Sequence, residues 1–198
     1  MPSSPQSSAL QAPIVLIGFM GSGKSSVARR LAFRLGCEYV DLDNRIEVAA
    51  GQSIADIFSE RGEAAFRLLE TQELRDALQS PTVISPGGGT VTQPVNREIL
   101  RSAIAQGAAV IYLRAQPHTL ADRIRRQPGK RPLIDGGKTL DMDATRRRVE
   151  ELLEQRREHY ESMATITIDT DGATLDDVSS EIEALLQRRT ESIREAGE

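Results

Sequence analysis

Gly18-Phe19-Met20-Gly21-Ser22-Gly23-Lys24-Ser25 carries the spacing G-x-x-x-x-G-K-S, in which each fixed position has a use at a phosphate. Glycines let the backbone turn sharply enough for its N–H groups to converge on an anion. Lys24 can reach the β- and γ-phosphates of a nucleotide, and the Ser25 hydroxyl suits Mg²⁺. A helix beginning here adds the positive end of its dipole. Gly21, Ser22, Gly23, Lys24, Ser25 and Ser26 are therefore the expected triphosphate contacts. The alternative is a plain glycine turn with a coincidental Lys-Ser. The flanks disfavour it. Ile14-Val15-Leu16-Ile17 reads as a buried parallel strand, and Ser26 to Ala32 has apolar residues at helical spacing.

Asp41 and Asp43 stand two apart, which in extended chain puts both carboxylates on one side. One can serve Mg²⁺, directly or through water, while the other contacts the hydroxyl that attacks the γ-phosphate. The competing reading is a solvated turn capping a helix that starts at Asn44. Strands three and four end in Ser85 and Leu113-Arg114, so strand two is the remaining supplier of an acid. Gly87-Gly88-Gly89 is costly to order and suits a backbone that closely approaches a small ligand, or else a simple tight turn. Residues 127–138 form a long connection rich in Pro, Gly and charge, which could be a lid carrying Lys130 and Arg131 to the phosphates or a solvated basic loop.

Five short apolar runs must hold these groups: Ile14–Ile17, Glu38–Val40, Thr82–Ser85, Ala109–Leu113 and Thr165–Ile168. Helical stretches separate them, about 45–79 (split at Gly51 and Gly62), 95–105, 119–126, 143–163 and 174–187. Alternation of this kind predicts an α/β fold of three layers, a five-stranded parallel sheet with a mobile lid. Ligands bind beyond the carboxyl ends of such strands, where the loop, the two aspartates and the glycines all fall. The expected organisation is a disordered 1–12, one kinase-type domain over 13–187, and a flexible tail at 188–198.

A net charge of −4 argues against a nucleic-acid binder that relies on bulk charge. Lysine occurs only at 24, 130 and 138, and the remaining basic residues are arginines. Cys37 is the one cysteine and His118 and His159 the only histidines, so no Cys-His metal cluster can form. No run of 18 apolar residues suggests a membrane span, and the N-terminal dozen lacks the pattern of a secretion signal. A cytoplasmic monomer is the expectation.

Taken together, the segments resemble the shikimate kinase family. They run from Ile14 to Asp169 and include, besides the loop at 18–25, Asp-Leu-Asp at 41–43, Gly51-Gln-Ser-Ile-Ala-Asp-Ile-Phe58 and Gly62-Glu-Ala-Ala-Phe-Arg67-Leu-Leu-Glu70. Gly87–Gly89, Arg131-Pro132-Leu133-Ile134 and Arg156-Arg-Glu-His-Tyr160 follow in order. The resemblance implies transfer of the γ-phosphoryl group of ATP to the 3-hydroxyl of shikimate, with Mg²⁺, in aromatic amino-acid biosynthesis. It implies Lys24, Asp43 and Arg131 as catalytic groups, with Asp43 on the shikimate hydroxyls as a base. Asp41 and Ser25 match the magnesium side. Arg67 and Arg156 match the arginines that hold the substrate carboxylate, and Gly88 and Gly89, supported by Gly87, match the backbone at the ring hydroxyls. Arg123 is the candidate for stacking on adenine, with Arg125 or Arg126 as replacements. The chain departs from the family at Glu158-His159, where Pro-Leu is common. Other small-metabolite kinases of the same fold, acting on gluconate or nucleoside monophosphates, and a non-catalytic relative are the rival readings.

Overall fold

The computed structural model describes residues 10–126 and 141–196. The expected lid, with Lys130 and Arg131, lies outside the described residues. Strands β1 (Ile14–Ile17), β2 (Tyr39–Asp41), β3 (Val83–Ser85), β4 (Ala109–Arg114) and β5 (Ile166–Asp169) form one parallel sheet in the order β2-β3-β1-β4-β5. Between them run α1 (Lys24–Leu35), α2 (Leu42–Ala50), α3 (Ile54–Ala77), α4 (Pro94–Ala105), α5 (Pro117–Arg126), α6 (Met142–Met163) and α7 (Leu175–Ala196).

The two faces of β1 explain the three layers. Ile14 and Leu16 pack with Val27 and Leu31 of α1 and Val178 and Ile182 of α7. Val15 and Ile17 point the other way, into a cluster with Leu100 of α4, Leu120 of α5, and Val149 and Leu153 of α6. All four β1 residues are essentially inaccessible, and burial of each such side chain contributes about 1.5–3 kcal/mol. A strand covered on both sides needs no polar alternation, which is why the sequence reads as a continuous apolar run. The chain passes from β1 outward to β2, returns to β3, and then crosses to β4 on the far side of β1. That reversal opens a crevice at the carboxyl end of β1.

Two boundaries carry information. Gly62 interrupts α3 with φ 77° and ψ 171°, so the expected break is present as a kink between two helical pieces. The last helix does not stop near Gln187. It continues to Ala196 through much of the segment expected as a flexible tail. The stretch after Gln187 contains no helix breaker until Gly197, and Arg189 donates to Thr165 Oγ1 and to the Ala108 carbonyl, tying the helix to the sheet edge. Among the described residues no helix is long and apolar enough to cross a membrane.

Candidate active site

Gly18 begins the phosphate loop with φ 148°, and a Cβ there would lie 2.6 Å from the Leu113 carbonyl oxygen on β4. Gly18→Ala would force backbone against backbone as well as an unfavourable φ, a cost of about 1–3 kcal/mol. It is expected to lower Tm by roughly 3–10 °C and to weaken nucleotide binding, readable by calorimetry. Gly21 sits close against α5, where a Cβ would stand 3.0 Å from Ile124 Cγ1. The loop is thus clamped between β4 and α5.

Lys24 is buried and donates through Nζ to the carbonyls of Gly18 (2.9 Å) and Phe19 (3.0 Å), spanning the loop's interior. Ser22 is buried as well, and its hydroxyl is the only buried side-chain polar atom among the described residues without a hydrogen-bond partner. Such a group costs about 1–3 kcal/mol until something satisfies it. Ser25 Oγ lies 3.2 Å from Ser85 Oγ, and Asp41 sits opposite Ser85 in the β2–β3 register. Tyr39 donates its phenolic proton to Asp41 Oδ2 at 2.7 Å. Asp41 also accepts from the Asn44 N–H at 3.4 Å as the N-cap of α2, so helix capping is real and coexists with a place in the cleft.

Ser25, Asp41 and Ser85 make an oxygen-only donor set beside the start of α1. That chemistry fits Mg²⁺, which takes one or two protein oxygens and completes its shell with water and phosphate. Among the described residues no three His, Cys, Asp or Glu gather into a cage. Cys37 is half-buried, and burial pushes its thiol up, in keeping with an inert side chain.

Asp43 occupies the centre. Water reaches it, yet protein surrounds most of its carboxyl, and this desolvation is the largest reason its pKa rises to about 6. Repulsion from Asp41, Glu70 and Glu47 adds to the rise, and Lys24 opposes it. The Gly87–Gly89 turn closes round these groups. A Cβ on Gly87 would be 3.1 Å from Asp43 Oδ1, one on Gly88 3.3 Å from the Met20 nitrogen, and one on Gly89 3.1 Å from Arg67 Nη2. Three glycines are needed because three functional neighbours crowd one turn.

Arg67 projects from α3 beside that turn and stacks over Phe66. Nη1 donates to Glu70 Oε2 at 2.9 Å, while Nε and Nη2 both reach Glu63 Oε1 at 3.2 and 3.1 Å. Glu70 is buried and accepts from Thr90 Oγ1 at 2.7 Å, and Asn96 bridges Thr71 and the Thr90 carbonyl. Arg156 comes from α6 and lies over the Phe19 ring at 5.7 Å. Arg123 is adjacent to Gly21, with its guanidinium donating to Thr170 Oγ1 and the Thr170 carbonyl; Arg125 and Arg126 are exposed. The structure therefore gathers Lys24, Ser25, Ser26, Asp41, Asp43, Gly87 and Gly88 around one cleft of about 330 Å³. Arg67 and Arg156 flank the glycine turn and the loop, and Arg131 lies outside the described residues. Tyr39, Ser85, Glu70, Thr90 and Asn96 complete the site without having been singled out as site residues in the sequence.

A family model described as shikimate kinase matches residues 20–187. The chain belongs to the shikimate kinase family. It is 43% identical over 180 residues to a shikimate kinase of Symbiobacterium thermophilum, covering 90% of this chain and 98% of the relative. A Thermus thermophilus shikimate kinase is 38% identical over 180 residues, covering 90% and 92%. Among solved structures, Acinetobacter baumannii shikimate kinase in complex with shikimate superposes with a TM-score of 0.79 at 32% identity, covering 90% of this chain and 94% of that one. A gluconokinase from Sinorhizobium meliloti matches at a TM-score of 0.58 and 20% identity, which shows a shared fold alone. Family membership makes the enzyme an ATP-dependent phosphotransferase acting on shikimate.

Proposed function

We propose that shikimate binds between Asp43, the Gly87–Gly89 turn, Arg67 and Arg156, with ATP in the phosphate loop, and that Asp43 takes the proton of the attacking 3-hydroxyl. The observation that supports this most is the placing of the turn. Its middle glycine abuts the loop at Met20, and its neighbours abut Asp43 and Arg67, so phosphate donor, base and carboxylate site share one short segment. As the hydroxyl oxygen bonds to the γ-phosphorus, its proton passes to the Asp43 carboxylate, and the bond to the β-phosphate oxygen breaks to release ADP.

Lys24 and the loop N–H groups hold the phosphates, with Ser22 Oγ as a further donor in want of a partner. Ser26 and Arg123 serve the nucleotide, and Arg131 the phosphates. Ser25 and Asp41 would hold Mg²⁺, which when bound neutralises phosphate charge. Tyr39 keeps the Asp41 carboxylate in place. The fork of Arg67 shows its affinity for carboxylates by engaging Glu63, whose side chain is largely exposed and free to yield to a substrate carboxylate.

ADP release with Mg-ATP and shikimate, gluconate or nucleoside monophosphates tests the reading. Stimulation by shikimate alone is expected, and stimulation by another substrate would discard the roles of Arg67 and Arg156. Arg67→Ala is expected to raise the shikimate KM by roughly 10- to 100-fold with a smaller effect on kcat, since it removes binding to a non-reacting group. A raised KM for ATP with an unchanged KM for shikimate would put the arginine in the wrong subsite.

A further inference from the structure

Tyr160 is wholly inaccessible, and its ring stacks on Tyr112 with centroids 5.1 Å apart. Packing alone would be served by phenylalanine. The hydroxyl must instead be explained, because a buried O–H without a partner is destabilising. It donates to the Gly88 carbonyl oxygen at 2.5 Å, across 72 residues of sequence. Arg156 stands four residues earlier on α6, one helical turn away, so the two side chains project from the same face of that helix. One oxygen atom thus joins the glycine turn to the helix that carries Arg156.

The consequence follows from peptide geometry. The Gly88–Gly89 bond is trans, so fixing the Gly88 carbonyl toward Tyr160 fixes the Gly89 N–H in the opposite direction. Neither the Gly88 nor the Gly89 N–H has a hydrogen-bond partner among the described residues. Left to itself a glycine peptide can rotate, because glycine tolerates both signs of φ. Arg156 faces a similar freedom, as its long side chain has several rotamers and lies over the Phe19 ring.

We propose that the Tyr160 hydroxyl is a positioning group for substrate binding, setting the tilt of the Gly88–Gly89 peptide and the reach of Arg156 together. The proposal rests on the roles given above to the glycine turn and Arg156. It assigns to Tyr160 no contact with substrate and no part in proton transfer.

Tyr160→Phe keeps the ring and deletes the one atom in question. Calorimetry with shikimate in the absence of nucleotide is expected to show Kd raised roughly five- to tenfold, the effect of losing one or two hydrogen bonds of ordinary strength. The shikimate KM should rise in parallel while the ATP KM stays within twofold, and the Gly89 amide should shift in the ¹⁵N spectrum of the free enzyme. Tyr112→Leu supplies the packing control: it disturbs the stacked ring, lowers Tm, and should leave the shikimate Kd within twofold. A Tyr160→Phe enzyme that binds shikimate like the parent, while Arg156→Ala binds it far more weakly, overturns the proposal and spares the site reading. If Arg156→Ala also binds shikimate normally, the site reading falls with it. Equal weakening toward ATP and shikimate in Tyr160→Phe would mean a merely structural tyrosine, and again overturns the proposal.

Discussion

Lys24→Ala is expected to lower kcat by about 10²–10³-fold while leaving the fold intact, because it removes a preorganised cation from the place where phosphate charge develops. The structure makes the expectation specific. Nζ spans the loop between two carbonyls, Gly18 and Phe19, so its charge is held inside the loop before any nucleotide arrives. The loop does not depend on this one side chain for its shape, since Gly18 is wedged against β4 and Gly21 against α5. Tm within a few degrees of the parent is therefore expected, together with loss of turnover. A second readout tests the electrostatics independently. Lys24 holds the Asp43 pKa down against burial and its acidic neighbours. Without Lys24 that pKa should climb above about 6, visible in the ¹³C titration of the Asp43 carboxyl. Near-normal turnover would remove the phosphate-loop assignment, and an unmoved Asp43 titration would remove the coupling between the two groups.

The contrast between Lys24 and Tyr160 shows what a sequence discloses. Gly18–Ser25 is legible because every group it needs lies within eight consecutive residues, and the strand before it is an uninterrupted apolar run. The same locality exposes Asp41 and Asp43. Of the two readings of Asp41, helix capping is visible: one oxygen caps α2 while Tyr39 grips the other, at the rim of the same cleft. Tyr39 itself reads only as a strand residue, since nothing in a β-strand pattern distinguishes a phenol from any other half-buried aromatic ring. Glu70, three residues after Arg67, could have been suspected as its partner from helical spacing. Its second bond, to Thr90, could not, because that depends on where α3 meets the turn after β3. Tyr160 and Gly88 are further apart still. The helix end at the C-terminus differs from the expected one for another reason. Helix propensity continues past Gln187, and the sequence offers no helix breaker before Gly197.

Asp43→Asn should separate what the carboxylate does for catalysis from what it costs the free protein. The substitution keeps shape and removes the proton acceptor, so kcat is expected to fall by about 10²–10⁴-fold, the usual contribution of a general base. In the parent enzyme the acid limb of kcat/KM should fall near pH 6, where Asp43 protonates, well above the ordinary carboxylate value of 3.8. The sign for stability runs the other way from that of an ion-paired aspartate. A pKa raised on folding means that the folded state binds the proton more tightly than the unfolded chain. The ionised carboxylate therefore destabilises the free enzyme in full above about pH 6, less as pH falls through that value, and not at all below 3.8. Asp43→Asn should then melt at a higher temperature than the parent at pH 8, with the difference shrinking steadily toward pH 4. Equal melting temperatures across that range would show that Asp43 ionises as freely as an exposed carboxylate. Its neighbours would then not have tuned it as a base, and the loss of kcat in the same variant would have to come from lost contacts to the substrate hydroxyls alone.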